Sequence, residues 1–464
     1  IPLTKIINSC IKESIFPRSL KIASIVPIFK KGDLTELNNY RPISIVPVVA
    51  KIYEKVLSNQ ISAYFEGNNL FSEQQFGFRK KKSTTDAVIA FVNNISRSFE
   101  NREGNIATFL DLQKAFDCVS HSILLDKLRH YNFGTTSCQL LASYLTDRTQ
   151  YVTVDGSKSK VLPVIHGVPQ GSVLGPLLFL IYVNDLCKYM ARVSSITLFA
   201  DDTCFSVSHK CLATGKRNSL VAEAMASRWC NANRLCLNTG KTVEMIFSLC
   251  KPSLWHTQPT TKFLGLNIDS QLTWNAHGDA IAKKINSGTF LIRQLSNKLP
   301  KHILRVAYLT LVQPHITYGI LVWGHSGIST RIFKLQRRVI RLVAGIGRRE
   351  KCNGYFVSLN ILTLPSLYIL ECLLYIKRNL ISFNTHQSVH NHYTRNRDDI
   401  CLNPIRLNRT LSGCNYYCIK FFNIIPHHIR TLQYRKFKIV LKTYLISKCF
   451  YNIGEFMEND FGDL

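Results

Sequence analysis

The chain has 464 residues, 46% of them hydrophobic, and carries 58 Lys and Arg against 29 Asp and Glu, a formal charge of +29. That length can bury a real core spread over two or three domains, and that charge attracts polyanions, of which nucleic acid is the commonest. The basic residues are spread along the chain rather than stacked on one amphipathic helix, which argues against an anionic membrane surface, and the longest apolar run, Leu177 to Val183, is far short of the ~20 residues a bilayer needs.

No signal peptide or spanning segment is visible. Ile1 falls in what reads as mid-domain sequence, so a fragment of a longer product is expected. Fifteen cysteines without paired spacing fit reduced thiols in an intracellular protein. In chain order, residues 20–30 predict a strand through Ile22, Ile25, Val26, Ile28 and Phe29, ending in the turn Lys30-Lys31-Gly32-Asp33. Asn38-Asn39-Tyr40-Arg41-Pro42 reads as a second loop, and 47–66 as an amphipathic helix. Thr84 to Phe99 predicts a helix with Ser83 or Thr84 at its N-cap. Ile106 to Leu112 reads as a buried strand. Helices are expected over 124–131 and 139–145, and a hairpin joins 151–154 to 160–165. Gly175-Pro176 opens an apolar helix to about Met190, since proline suits a first helical position.

Strand-like runs 195–200 and 203–208 then flank an acidic turn. A helix near 217–234 precedes a strand pair around 243–248 and 262–268. The α/β alternation stops near residue 270. Beyond it the pattern predicts basic helices over 276–297, 302–313 and 329–345, the last carrying Arg331, Lys334, Arg337, Arg338 and Arg341. From about 350 the sequence is aromatic and His-rich, with no assignable pattern.

The turn is Phe199-Ala200-Asp201-Asp202. Adjacent acids in a tight turn repel, and a divalent cation can offset that repulsion. Two such ions about 4 Å apart can activate a 3′-hydroxyl and clamp a departing pyrophosphate. Asp-Asp alone also starts ordinary turns. A metal site of that kind needs a third carboxylate from another strand, and Asp111, closing the run Ala107-Thr108-Phe109-Leu110, is the candidate. Capping a helix is the alternative role for it. Leu112-Gln113-Lys114-Ala115-Phe116-Asp117 would put a turn of backbone amides beside the acids, suited to a triphosphate. Phe116 lies close enough to sit beneath a sugar and collide with a 2′-hydroxyl, or it simply packs in the core. In Gly167-Val168-Pro169-Gln170-Gly171-Ser172, small or rigid residues such as Gly171 leave the backbone bare for a base and nucleotide, and Gln170 offers an amide.

Taken together, Arg41-Pro42-Ile43-Ser44, Gln75-Phe76-Gly77-Phe78-Arg79, Asp111 through Asp117, Gly167 through Gly171 and Phe199 through Asp202 resemble the ordered motifs of non-LTR, jockey-like retrotransposon reverse transcriptases. The resemblance covers about residues 10–270 strongly and the rest diffusely. It implies an α+β right-hand polymerase: fingers and palm with an antiparallel sheet over 10–270, a helical thumb over 271–348, and a basic, aromatic C-terminal region over 349–464. It implies that Asp111, Asp201 and Asp202 bind two Mg2+ ions, with Mn2+ an alternative. Phe116 would exclude ribose, and Gln170 and Gly171 would line the incoming nucleotide. Lys30 and Arg41 would touch its phosphates, or be solvated loop charges. Lys241, in Leu237-Asn238-Thr239-Gly240-Lys241-Thr242, stands where related polymerases protonate pyrophosphate, or is a surface turn lysine. Phe263-Leu264-Gly265 resembles a hairpin that grips the primer end.

The implied partners are an RNA template, a DNA primer or target DNA and deoxynucleoside triphosphates, with no membrane, in a nuclear and cytoplasmic ribonucleoprotein. No endonuclease is recognisable. A catalytically inactive remnant that only binds nucleic acid is the alternative. One further cluster, Cys414-x3-Cys418 followed by His427 and His428, has the opening spacing of a zinc knuckle. Leu432 stands where the closing cysteine would be, so thiols packed among Tyr416, Tyr417, Phe421 and Phe422 are the preferred reading.

Overall fold

A helix, α1 (Pro2–Lys12), precedes the first strand, β1 (Ile22–Phe29), whose apolar residues leave it partly buried. The structure is a computed structural model that describes residues 2–249, 260–389, 397–402, 404–407 and 414–462. β1 pairs antiparallel with β2 (Tyr40–Ile45), setting Phe29 opposite Tyr40 and Ile28 opposite Arg41. The expected loop at 38–42 is therefore corrected: Tyr40, Arg41 and Pro42 open a strand. Sequence pattern misses it because proline is read as a strand breaker, yet β2 lies at the sheet edge, where a missing ladder donor is tolerated.

After α2 (Val48–Gly67), α3 (Thr84–Glu100), β3 (Gly104–Leu110) and β4 (Leu112–Gln113) come two helices, α4 (His121–His130) and α5 (Thr135–Leu145). Both begin a few residues before the apolar pattern does, because a polar first turn carries no periodic signal. Ser83 accepts from the Asp86 N–H at 3.2 Å and donates to its carboxylate at 2.6 Å, the capping arrangement expected of it. β5 (Arg148–Val154) joins β1 in parallel and takes β6 (Ser157–Lys158) and β7 (Leu162–Val164) antiparallel, so this sheet is mixed.

The apolar helix expected from Gly175 starts at Leu174 and is written as α6 (Leu174–Val183) and α7 (Asp185–Met190), with Asn184 helical between them. α6 is buried almost all round. It is packed with α2, α4 and α5 through Tyr53, Phe65, Leu124, Tyr144 and Phe179 in one apolar core. β8 (Ser195–Phe199) and β9 (Asp202–His209) form an antiparallel pair in a four-stranded sheet of order β11-β3-β9-β8. α8 (Leu212–Ala232), β10 (Cys236–Leu237) and β11 (Val243–Phe247) follow.

The strand pair expected at 243–248 and 262–268 is also corrected. β11 belongs to the four-stranded sheet, whereas β12 (Thr260–Phe263) and β13 (Leu266–Asp269) form a separate hairpin around Leu264 and Gly265. Two residues of positive φ turn the chain there and split one apolar run into two strands.

Packing divides the chain into two compact units. One comprises Ile1–Ala87, Ile106–Ser208 and Leu212–Glu244; the other comprises Val88–Asn105, His209–Cys211 and Met245–Leu464. In the second unit α9 (Asn275–Ser296) packs against α10 (Lys301–Leu311) and α13 (Ile328–Ala344), with α11 (Gln313–Thr317) and α12 (Ile320–Trp323) between the last two in sequence. The part of the chain without assignable pattern is helical too: after α14 (Asn353–Ser358), α15 (Leu364–Arg378) packs against the helices Cys414–Ile424 and Tyr434–Lys448. Among the described residues no helix is long and apolar enough to cross a membrane.

Candidate active site

Phe199 at the end of β8 pairs with Asp202 at the start of β9, leaving Ala200 and Asp201 as the turn between them. Ala200 is buried and left-handed, with φ of 58°. Short strands of this kind leave no slack, so both carboxylates leave the sheet at a fixed place. Asp111 emerges at the end of β3, in the same sheet, just before β4.

These three carboxylates lie within electrostatic reach of one another. Burial, then the Asp201 and Asp111 charges, push Asp202 up to about 6, with Lys30 pulling the other way. Burial also raises Asp201, and Asp111 adds to the rise. Its own backbone amide and the charges of Arg41 and Lys30 oppose it. Both side chains reach solvent, so burial here means protein crowded about the turn rather than enclosure. Among the described residues no group of three His, Cys, Asp or Glu converges into a ready metal-ligand set. The acids are neighbours, but their side chains are not closed around a point.

Asp111 is held from a second direction. β10 pairs antiparallel with β4, Leu237 opposite Leu112, and this brings the next residue, Asn238, alongside. The Asn238 backbone N–H donates to the Asp111 carbonyl at 2.8 Å, and its side-chain amide donates to Asp111 Oδ2 at 3.1 Å. Lys241 Nζ stands 3.4 Å from the same oxygen, both groups being well exposed. Lys30 and Arg41 approach from β1 and β2: the Lys30 N–H donates to the Asn39 carbonyl at 2.9 Å, and Arg41 sits opposite Ile28.

The loop 167–173 threads between β2 and the turn after Asp111. Ser44 donates its N–H to the Gln170 carbonyl at 2.7 Å, and Val168 donates to the Phe116 carbonyl at 2.8 Å. Gly171 has φ of 117°, and a Cβ there would lie 2.6 Å from the Ser44 oxygen, so only glycine fits. The Gln170 side chain donates from Nε2 to Asp117 Oδ1 at 3.1 Å. Burial raises the Asp117 carboxyl above its ordinary value, against that bond. Phe116 is half-buried and stacks on the buried Phe179 at 4.6 Å. It therefore both packs and remains accessible.

The structure thus brings Asp111, Asp201, Asp202, Lys30, Arg41 and Lys241 into one charged neighbourhood. Beside them the 167–171 loop is tied to the 116–117 turn through Val168 and Gln170, with Gly171 next to Gln170. Phe263, Leu264 and Gly265 form the hairpin turn of the second unit, where the Tyr318 hydroxyl donates to the Leu264 carbonyl. Of the knuckle-like residues, Cys418 is buried and His427 faces Asp398 at 3.7 Å, while the Cys414 side chain lies outside the described residues. Residues that pattern reading passed over are Asn238, Asp117 and Gln75. Each lay inside a quoted motif, but its bond partner is 53 residues or more away in sequence and leaves no local periodicity.

The profile of the family described as reverse transcriptase (RNA-dependent DNA polymerase) matches residues 28–268, more than half of the chain. A probable RNA-directed DNA polymerase from transposon BS of Drosophila melanogaster is 32% identical over 74% of this chain and 40% of its own length. The RNA-directed DNA polymerase from mobile element jockey of the same species is 30% identical over the same shares. The chain therefore spans about 40% of the length of these curated relatives. The chain is also similar to a solved telomerase from Candida albicans in complex with a fragment of telomeric RNA, at 12% identity over 91% of this chain and 66% of that one, with a TM-score of 0.46.

Proposed function

The chain belongs to the reverse transcriptase (RNA-dependent DNA polymerase) family, and from that premise we propose that it extends a DNA primer on an RNA template for a non-LTR retrotransposon. The observation that carries this reading is the meeting of Asp111, at the end of β3, and the two carboxylates of the β8–β9 turn with Lys30 and Arg41. Charge of both signs gathers there, as a triphosphate and its counter-ions require.

The donor chemistry of the acids fits a divalent cation. Carboxylate oxygens are hard ligands, and crowded carboxylates that raise one another's proton affinity are stabilised by any positive charge placed among them. Asp111, Asp201 and Asp202 would hold two Mg2+ ions, or Mn2+. When bound, the ions lower the pKa of a primer 3′-hydroxyl and neutralise charge on the leaving pyrophosphate. The chain's own residues do the rest. Lys30 and Arg41 draw the phosphates toward the acids. Gln170, anchored by Asp117, and Gly171 present an unobstructed surface to the base. Phe116, braced by Phe179, stands under the sugar and disfavours a 2′-hydroxyl. Lys241 places an ammonium near the departing phosphate. In domain terms, 10–270 would serve as fingers and palm, 271–348 as thumb, and 349–464 as a basic adjunct of unassigned role, all in an intracellular setting.

The rival reading is an inactive remnant that binds nucleic acid, and it draws on acids that are neighbours without closing around a point. Both readings expect salt-sensitive RNA binding from so basic a chain. Primer extension on an RNA template with deoxynucleotides and Mg2+ separates them. Wild-type chain is expected to extend, and Asp201→Asn to abolish extension while RNA affinity stays within about twofold. Extension retained by Asp201→Asn overturns the assignment of the acids; no extension by the wild type favours the remnant.

A further inference from the structure

Gln75 is completely buried, which is costly for an amide unless its hydrogen bonds are made. Its Oε1 accepts from the Gly77 N–H at 2.9 Å and from the Ala200 N–H at 3.2 Å. Its own residue bridges in parallel to Leu198. The Phe76 N–H donates to the Leu198 carbonyl at 2.8 Å, and Leu198 donates to the Gln74 carbonyl at 2.9 Å. The approach is as close as backbone allows: a Cβ on Gly77 would fall 2.4 Å from the Ala200 nitrogen. Arg79 ties the far end of this segment to both Glu66 oxygens, at 3.0 and 2.7 Å, and to the Ser72 carbonyl. Residues 74–77 are therefore a splint laid along β8 and fastened to the residue before Asp201.

Ala200 needs that fastening. It is left-handed, a conformation that costs a residue with a Cβ and is held only where its surroundings determine it. The Gln75 oxygen supplies a buried acceptor to the amide of that same residue, inside the turn. By contrast, Gln75 Nε2 has no partner among the described residues. The bonds this amide makes are therefore those of its oxygen, to Gly77 and to the turn.

We propose that Gln75 is a positioning residue for the acidic turn: it locks Ala200 left-handed and thereby sets where the Asp201 and Asp202 carboxylates stand. The catalytic consequence rests on the polymerase reading above; the geometric one does not. Gln75→Met is the informative variant, because it keeps shape, removes the acceptor and also removes the unsatisfied donor. In the full chain, without nucleic acid or metal, hydrogen exchange of a peptide spanning 198–203 is expected to quicken by about tenfold, while peptides in α2 and α8 stay unchanged. Gln75→Glu keeps an acceptor oxygen and is expected to exchange as the wild type does. In primer extension Gln75→Met should lower kcat by about tenfold with the nucleotide KM within twofold, and Ala200→Gly added to it should recover part of kcat, since glycine adopts that φ unaided. Should Gln75→Met fail to fold, Gly77→Ala reads the same turn, and quickened exchange confined to 198–203 is expected. Unchanged exchange there, or exchange quickened throughout the chain, overturns the proposal. So does a kcat loss that Ala200→Gly leaves untouched. A wild-type chain that never extends a primer overturns the polymerase reading, and the exchange measurement still decides the role of Gln75.

Discussion

Asn238 holds Asp111 twice, its backbone N–H on the carbonyl at 2.8 Å and its side-chain amide on the carboxylate at 3.1 Å. The first bond sets the height of the chain and the second sets the rotation of the carboxylate. Asn238→Ala removes only the second. Steady-state primer extension should then fall about tenfold in kcat, with RNA affinity within about twofold. Undiminished kcat would mean that Asp111 needs no orienting partner.

Lys241 tests charge without packing. Its ion pair with Asp111 is exposed on both sides, and such pairs contribute about 0.2–1 kcal/mol. Lys241→Ala should therefore leave the melting temperature within about 2 °C of wild type while slowing single-turnover incorporation about tenfold. Equal losses of stability and rate would assign the lysine a structural task instead.

Asp202 makes the cation-free protein sensitive to pH. Its carboxyl binds a proton more tightly in the folded chain, at about 6, than at its ordinary value of 3.8. The folded state is then favoured by protonation, so this group's contribution falls as pH rises from 3.8 to about 6 and is a constant penalty above that. Asp202→Asn should raise the melting temperature in chelator at pH 7.5 by about 1–2 °C and make no difference at pH 4. A variant less stable than wild type at pH 7.5 would reverse the sign argued here.

Asp117 anchors the Gln170 amide at 3.1 Å. Asp117→Ala frees that amide to rotate, and the nucleotide KM should rise about fivefold with a smaller change in kcat. A pure kcat effect would place Asp117 closer to the chemistry than its bond to Gln170 implies.

Phe116→Val shortens the ring stacked on Phe179. Ribonucleotide incorporation relative to deoxynucleotide should rise by about tenfold or more in competition assays. Lower stability with unchanged sugar preference would leave the ring as core packing alone.

The acidic turn and its flanking strands were readable because β8 and β9 are apolar runs broken by two charges, and Asp111 because it ends a wholly buried strand. Most helices were readable from apolar spacing, α2, α3, α9, α10 and α13 to within about a residue at their starts, and α4 and α5 short by a polar first turn. What escaped is non-local. Nothing near Gln75 announces a partner 125 residues on, and nothing near Asn238 announces Asp111. The helices beyond residue 350 escaped for the opposite reason: α15 is buried almost all round, so it has no polar face to mark its period.

The edge strand β2 has a final consequence, for solubility. In its register Pro42 faces Pro27 and Ser44 faces Ile25, so the nitrogens of 42 and 44 point away from β1 toward any strand that might add on. Pro42 has no hydrogen to offer, and the Ser44 N–H is already given to Gln170. An incoming strand finds these donors missing or taken and a cationic Arg41 just before them, features that disfavour edge-to-edge pairing at this border. The Arg41-Pro42-Ile43-Ser44 string, first noticed as a signature, is also an edge with few free donors for an added strand.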